Sequence, residues 1–132
     1  MPYTLLDQTS LHTGMKKCVD ENVSVIIGAP FCSGLLATGL KDDAKYNYGA
    51  VPIEVQNKVI AIQDVCEAHG VNLPAAALQF PLAHPAVTSV IPGAVKQKKV
   101  LENKKYFEEI IPDEFWSDLK DQDLIDSGAP TP

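Results

Sequence analysis

Apolar residues change their spacing in a regular order along this chain, and that order predicts strands alternating with helices. A short apolar piece, Tyr3 to Leu6, opens it and reads as a strand. After a polar turn, Thr9 or Ser10 is placed to cap a helix running to about Glu21. Val23 to Ile27 is β-branched except at Ser24, and a nearly continuous run of this kind suits a strand buried on both faces of a parallel sheet. Gly28 to Val51 is rich in Gly and aromatic residues and carries Lys41-Asp42-Asp43, so it reads as a surface loop with room for a short turn of helix. A loop of that length in a compact domain is usually functional or disordered.

Pro52 then fits a first-turn position, Val55, Val59, Ile62 and Cys66 recur at helical spacing, and Gly70 supplies a C-terminal cap. Asn72 starts a further helix near Leu73-Pro74, whose close-packing run Ala75 to Phe80 is ended by Pro81 and Pro85. Val87 to Ile91 reads as a third strand. Lys98 to Ile110 forms a helix expected to turn Val100, Leu101, Phe107 and Ile111 to the core, and Asp113 to about Asp123 forms another bearing Phe115, Trp116 and Leu119. The tail Gly128 to Pro132 is irregular. The fold class is α/β: strands separated by helices pair in parallel through right-handed crossovers, with the helices outside. No G-x-G-x-x-G follows any strand, which removes the usual fingerprint of a doubly wound dinucleotide fold. A segment of a (β/α) barrel accounts better for the loops Ala29 to Val51 and Pro92 to Lys99, since ligand loops of barrels follow the C-terminal ends of strands.

Length and composition narrow this reading. The chain has 132 residues, 45% of them hydrophobic, which suits one domain over 1–132 with a real core. No apolar stretch reaches the ~18 residues of a membrane span and no signal-peptide pattern opens the chain, so no membrane partner and a cytoplasmic location are expected. Cys18, Cys32 and Cys66 are odd in number and show no metal or redox spacing; they read as reduced thiols, with Cys18 and Cys66 buried in helices. A net charge of −6 argues against nucleic acid. All 11 basic residues are lysine, so bidentate arginine clamps are absent, and five of them (Lys96, Lys98, Lys99, Lys104, Lys105) fall within ten residues.

That cluster follows the most informative stretch, Ser89 to Ala94 with Glu102-Asn103 beyond it. An apolar strand, a Pro-Gly exit and a lysine-studded helix start set backbone N–H groups and positive charge where an anion could sit. The bland reading is a solvated helix face in which Glu102 pairs with Lys99 or Lys105. Ser33 lacks a G-x-S-x-G elbow, and His12, His69 and His84 have no evident reason to converge on it, so a nucleophile role for Ser33 is set aside and His69 and His84 read as structural.

Taken in order, Tyr3-Thr4-Leu5-Leu6-Asp7-Gln8, Gly28 to Leu36, Ala76 to Phe80, His84-Pro85 and Val90 to Ala94 with Glu102-Asn103 resemble the C-terminal half of the aldo-keto reductases. Within that family the chain is most similar to the aldose, fucose and galactose dehydrogenase branch. The resemblance implies the C-terminal half of a (β/α)8 barrel, about three parallel strands with outer helices, and hydride transfer between NADP or NAD and a sugar or other carbonyl compound. It assigns Phe31, Ser33, Gly34 and Leu35 to the loop over the cofactor pyrophosphate, and Ile91, Gly93 and Ala94 to the last strand and its turn. Lys99 falls near the adenosine ribose or its 2′-phosphate, and Glu102 and Asn103 at the adenine edge. The family's catalytic aspartate, tyrosine, lysine and histidine lie in the half that precedes these motifs, so the chain begins within the sixth strand and supplies no catalytic residue. Tyr48-Gly49 lies in the wrong loop for the catalytic motif and reads as an aromatic near the substrate side. Lysine in place of arginine leaves NAD against NADP open. Two functions follow: a cofactor-binding half that does not turn over alone, or a non-catalytic half barrel that covers its open edges by self-association or by pairing with a full-length relative.

Overall fold

A computed structural model describes residues 1–132 and contains two strands where the sequence suggested three. Strands β1 (Val25–Gly28) and β2 (Val87–Ile91) lie side by side in parallel, with Ile26 opposite Ser89, Ile27 opposite Val90 and Gly28 opposite Ile91. The expected first strand, Tyr3 to Leu6, is instead a bend. Thr4 N–H donates to the Asp7 carbonyl at 2.8 Å and Asp7 N–H to the Thr4 carbonyl at 3.2 Å, so these backbone groups are used within the turn and do not form a ladder. Asp7 Oδ1 then accepts from the Thr9 N–H and hydroxyl at 3.0 and 2.7 Å, which tightens the corner.

Leu11–Met15 is a π-helical turn that runs into α1 (Lys16–Asp20), and neither Thr9 nor Ser10 caps it through a side chain. The Ser10 hydroxyl donates to the Pro2 carbonyl instead. Cys18, expected inside, is only half-buried. The long loop contains the short helix α2 (Leu35–Thr38), and α3 (Ile53–His69) follows Pro52. Gly70 ends α3 at φ 64°, where Val71 N–H reaches the Cys66 carbonyl at 2.9 Å and Gly70 N–H the Glu67 carbonyl at 3.3 Å. This is the left-handed cap that glycine allows without a Cβ clash. Helix α4 (Leu73–Leu82) accommodates Pro81 in its last turn, and α5 (Gln97–Glu108) and α6 (Asp113–Asp121) complete the chain.

The core lies on one side of the sheet. Tyr3 stacks on Phe80 with ring centroids 5.2 Å apart, and Trp116 meets Phe80 and Phe115 at 6.2 and 4.9 Å. Ile27 and Val87 face this cluster from the strands. The other sheet face carries no covering layer: Ile26 and Ile91 are 60% and 59% exposed. Burial of β1 on both faces is therefore corrected to burial on one.

Helix α5 needs a second correction. It packs on α4, where Gln79 Nε2 donates to the Tyr106 and Glu109 carbonyls, each at 2.8 Å. That contact turns Asn103 inward and leaves Val100 and Leu101 more than half exposed, rather than in the core. Phe107 and Ile111 are half-buried.

Buried titratable groups give the fold a defined pH range. His84 is buried, its Nδ1 accepts the Ala86 N–H at 3.2 Å, and burial lowers its pKa from 6.5. A lowered histidine contributes stability that is present above the unfolded value and lost as pH falls below it. Burial pushes Cys66 and Tyr3 up to about 12, from 9.0 and 10.0. These raised acids contribute stability below their unfolded values that is lost as pH rises toward about 12. The urea midpoint is expected to be flat from neutral pH to the unfolded thiol value and to fall on both sides, and Cys66→Val should remove the thiol's share of the alkaline loss. Phe80→Ala, at the centre of the aromatic cluster, is expected to cost about 3–5 kcal/mol in urea unfolding.

A cleft at the strand ends as the candidate functional site

Because β1 and β2 run parallel, the chain leaves both at the same sheet edge, where Gly28 pairs with Ile91. The loop after β1 and the Pro92 to Lys96 connection into α5 diverge from that edge, and between them opens a cavity of about 570 Å³. Phe31, Ser33, Gly34, Gly93, Ala94, Lys99, Glu102 and Asn103 all line it, which is eight of the ten candidate residues. The other two lie outside the wall. Leu35 is 1% exposed and anchors the loop in the core, and Ile91 sits on the uncovered sheet face.

The β1 loop is held in an uncommon backbone conformation. Ala29, Cys32 and Ser33 have φ of 51°, 50° and 60°, and Gly34 has φ 93°. Only glycine takes such angles freely; each of the others stores on the order of 1 kcal/mol, which the surroundings must offset. The Phe31 carbonyl accepts both Gly34 N–H at 3.1 Å and Leu36 N–H at 3.0 Å, and the Cys32 thiol donates to the Thr4 hydroxyl at 3.2 Å. Burial pushes that thiol's pKa up, so Cys32 is a hydrogen-bond donor rather than a thiolate.

The opposite wall is the start of α5. The Gln97 and Lys98 amides have no helical acceptor, while Lys99 N–H donates to the Lys96 carbonyl at 2.9 Å, and Lys96 and Lys99 flank this turn. Lys99 Nζ lies 2.9 Å from Glu102 Oε2, the i to i+3 pair anticipated as the bland alternative, and that hydrogen bond raises Lys99 and lowers Glu102. Lys99 is exposed and Glu102 half-buried at the cleft rim, so the pair is a weak one that a ligand can reorganise. Asn103 differs from them. It is 8% exposed, lines the cleft and makes no side-chain hydrogen bond to the rest of the chain, so one amide donor–acceptor pair remains for a ligand. Such a cleft suits an elongated, anionic molecule with a polar planar edge.

The remaining polar candidates lie apart. His12 meets Asp126 at 2.9 Å, His69 meets Asp118 at 2.6 Å, and His84 is internal, so no histidine approaches Ser33. Asn47 and Tyr48 occupy a tight turn at φ 49° and 66°, closed by two 3.0 Å bonds between Tyr46 and Gly49, and Tyr48 is 97% exposed. Tyr48 also borders a depression of about 360 Å³ beside Gly28 and Ala29. Sequence reasoning missed a further cavity of about 710 Å³ that brings together Asp7, His12, Tyr46 and Lys58. Its one sequence signal was a lysine on the inward stripe of α3, three residues after Val55 and four before Ile62.

Known proteins resemble this chain over nearly its whole length. The family model described as Aldo/keto reductase family matches residues 1–123. Pyridoxal 4-dehydrogenase of Microbacterium luteolum is 36% identical over 123 residues, which is 93% of this chain and 36% of that protein. D-threo-aldose 1-dehydrogenase of Pseudomonas sp is 36% identical over 131 residues, 98% of this chain and 39% of that protein. The crystal structure of the thermostable aldo-keto reductase Tm1743 with the inhibitor epalrestat shares the fold at a TM-score of 0.58 and 20% identity, over 90% of this chain and 37% of that one. The chain thus spans less than two-fifths of the length of each of these proteins.

If the lysines at the head of α5 attract anions against the opposition of Glu102, Glu102→Gln is expected to tighten inorganic pyrophosphate binding several-fold in low-salt calorimetry. The gain should disappear at high salt.

Proposed function

The chain belongs to the aldo/keto reductase family, and from that premise we propose that its cleft binds a nicotinamide dinucleotide, NADP or NAD. The supporting observation is the convergence of residues 31–34 and 93–103, distant in sequence, around one cavity, with the amide of largely buried Asn103 open to it and unpaired within the chain. The donor set fits the ligand's chemistry. Ser33 and Gly34 on one side and the first-turn amides of α5 on the other are suited to the pyrophosphate. Lys99 is suited to the ribose or a 2′-phosphate, and Glu102 with Asn103 to the adenine edge. Leu35 and Ile91 support this site from behind: one anchors the loop and the other ends the strand.

When bound, the dinucleotide supplies the hydride exchange at its nicotinamide ring, with a sugar or another aldehyde as the second reactant. The protein's own part is to bind and orient. In this reading the chain is the C-terminal half of a (β/α)8 barrel, and the family's catalytic aspartate, tyrosine, lysine and histidine have no counterparts in it. Tyr46 and Lys58 share a cavity wall, yet Lys58 Nζ bonds the Leu6 carbonyl at 3.0 Å and not the phenol. The chain alone therefore binds without turnover.

A second reading, a non-catalytic interaction module, is favoured by the uncovered sheet face with its exposed Ile26 and Ile91. Self-association or pairing with a full-length relative would cover that face. A monomer in sedimentation at tens of micromolar would count against self-association.

Titration with NADPH and NADH, followed by ligand fluorescence and protein melting, is expected to give saturable binding and a raised melting temperature. No aldose-dependent change in the nucleotide should occur. Asn103→Leu should weaken both ligands about five- to tenfold, the effect of losing one buried hydrogen bond. Lys99→Met should weaken NADPH more than NADH. An absence of binding by the folded chain, or equal loss of both ligands on removing Lys99, would contradict the respective assignment.

A further inference from the structure

Lys58 stands apart from the other ten lysines. It lies on the stripe of α3 that carries Val55 and Ile62, with the buried Val59 next in sequence, so its stem runs along the core. Its Nζ makes one hydrogen bond, to the Leu6 carbonyl at 3.0 Å, and no ion pair. Lys16, Lys17, Lys98, Lys99 and Lys104 each pair with a carboxylate on the surface. The cavity of about 710 Å³ that Lys58 borders is walled by the Asp7 to Thr9 turn, Tyr46 and the segment 123–127.

We propose that Lys58 is a covalent binding site for small, uncharged, hydroxylated aldehydes, with its amine forming an imine in this cavity. An amine fixed by one bond to a carbonyl keeps a lone pair available once neutral. Burial lowers the lysine's pKa and so favours the neutral amine, although the charges of Asp7 and Cys32 act in the opposite direction. Cys32 itself is pushed up by burial, which leaves Asp7 as the standing opponent. Tyr46, also pushed up by burial, stays a proton-carrying phenol, and His12 lies on the same cavity.

In the first step the Nζ lone pair attacks the carbonyl carbon, forming a C–N bond while the C=O π pair moves to oxygen. That oxygen receives the proton released by nitrogen and gives a carbinolamine. The hydroxyl then leaves as water on protonation, the nitrogen lone pair forms C=N, and a proton returns to the donor. One amine and one aldehyde give one imine and one water, with no oxidant or reductant required. The wall sets the ligand class. Asp7 and Asp123 are carboxylates, and Asp126 is held below the usual range by the Gly128 N–H and by His12, so it stays ionised. These charges repel anionic aldehydes and accept hydroxyl donors. The cavity is separate from the dinucleotide cleft, and each assignment can fail without the other.

The test is reductive trapping of the full chain with pyridoxal and cyanoborohydride at neutral pH, with the rate at each lysine read by peptide mass mapping. Lys58 should be labelled several-fold faster than exposed Lys41 or Lys96, and pyridoxal 5′-phosphate should lose that preference. Lys58→Arg should remove the fast phase and leave the slow ones, while mapping on the unaltered chain decides the question even if that variant does not fold. Labelling that simply follows exposure, with Lys58 among the slowest, would overturn the proposal, as would equal preference for the phosphorylated probe.

Discussion

The parallel register of β1 and β2 is the constraint on which the cleft depends. Pairing Ile27 with Val90 and Gly28 with Ile91 brings the two strands to the same edge at the same height. The loop after β1 and the connection into α5 are then neighbours by construction, although more than fifty residues separate them. A slip of one residue would reverse the side chains of a strand, sending Ile27 or Val90 away from the aromatic core. The register is therefore set from the core side, by Tyr3, Phe80, Phe115 and Trp116, while its product appears at the strand ends.

Local costs collect where the ligand is proposed to bind. The β1 loop holds three non-glycine residues at positive φ, fixed at one end by the strand and at the other by fully buried Leu35 and Leu36. Strain of this kind persists only where the surrounding structure over-determines it. Across the cleft, Asn103 is largely buried and turns an amide unpaired within the chain to the cleft. Both features make sense for a pre-shaped binding surface. The uncovered face of the sheet is a separate matter, and it reflects a two-stranded sheet with helices on one side only.

What the sequence disclosed depends on the range of the interactions. Helix α3 and its Gly70 cap were readable because periodicity and a left-handed glycine are local signals. The Phe115, Trp116 and Leu119 stripe of α6 was readable for the same reason. Tyr3 to Leu6 failed as a strand because strands exist only with partners, and here Thr4 and Asp7 satisfied one another first. The inward face of α5 was misjudged because Gln79 on another helix fixes its orientation through two main-chain carbonyls, a contact with no sequence pattern. Eight of the ten candidate site residues converged because motif order carries tertiary information that composition does not. The Lys58 cavity stayed hidden because Asp7, Tyr46 and Lys58 come from three separated segments, joined only by packing.

The central claim is that one dinucleotide spans the β1 loop and the head of α5. Amide chemical-shift mapping of the labelled chain during addition of NADPH tests it most directly. The account predicts saturable shifts concentrated at Ser33, Gly34, Gly93, Ala94 and the amides from Gln97 to Asn103, with both segments titrating at one midpoint. Shifts confined to one segment, scattered over the surface lysines, or centred on the cavity around Lys58 would contradict it.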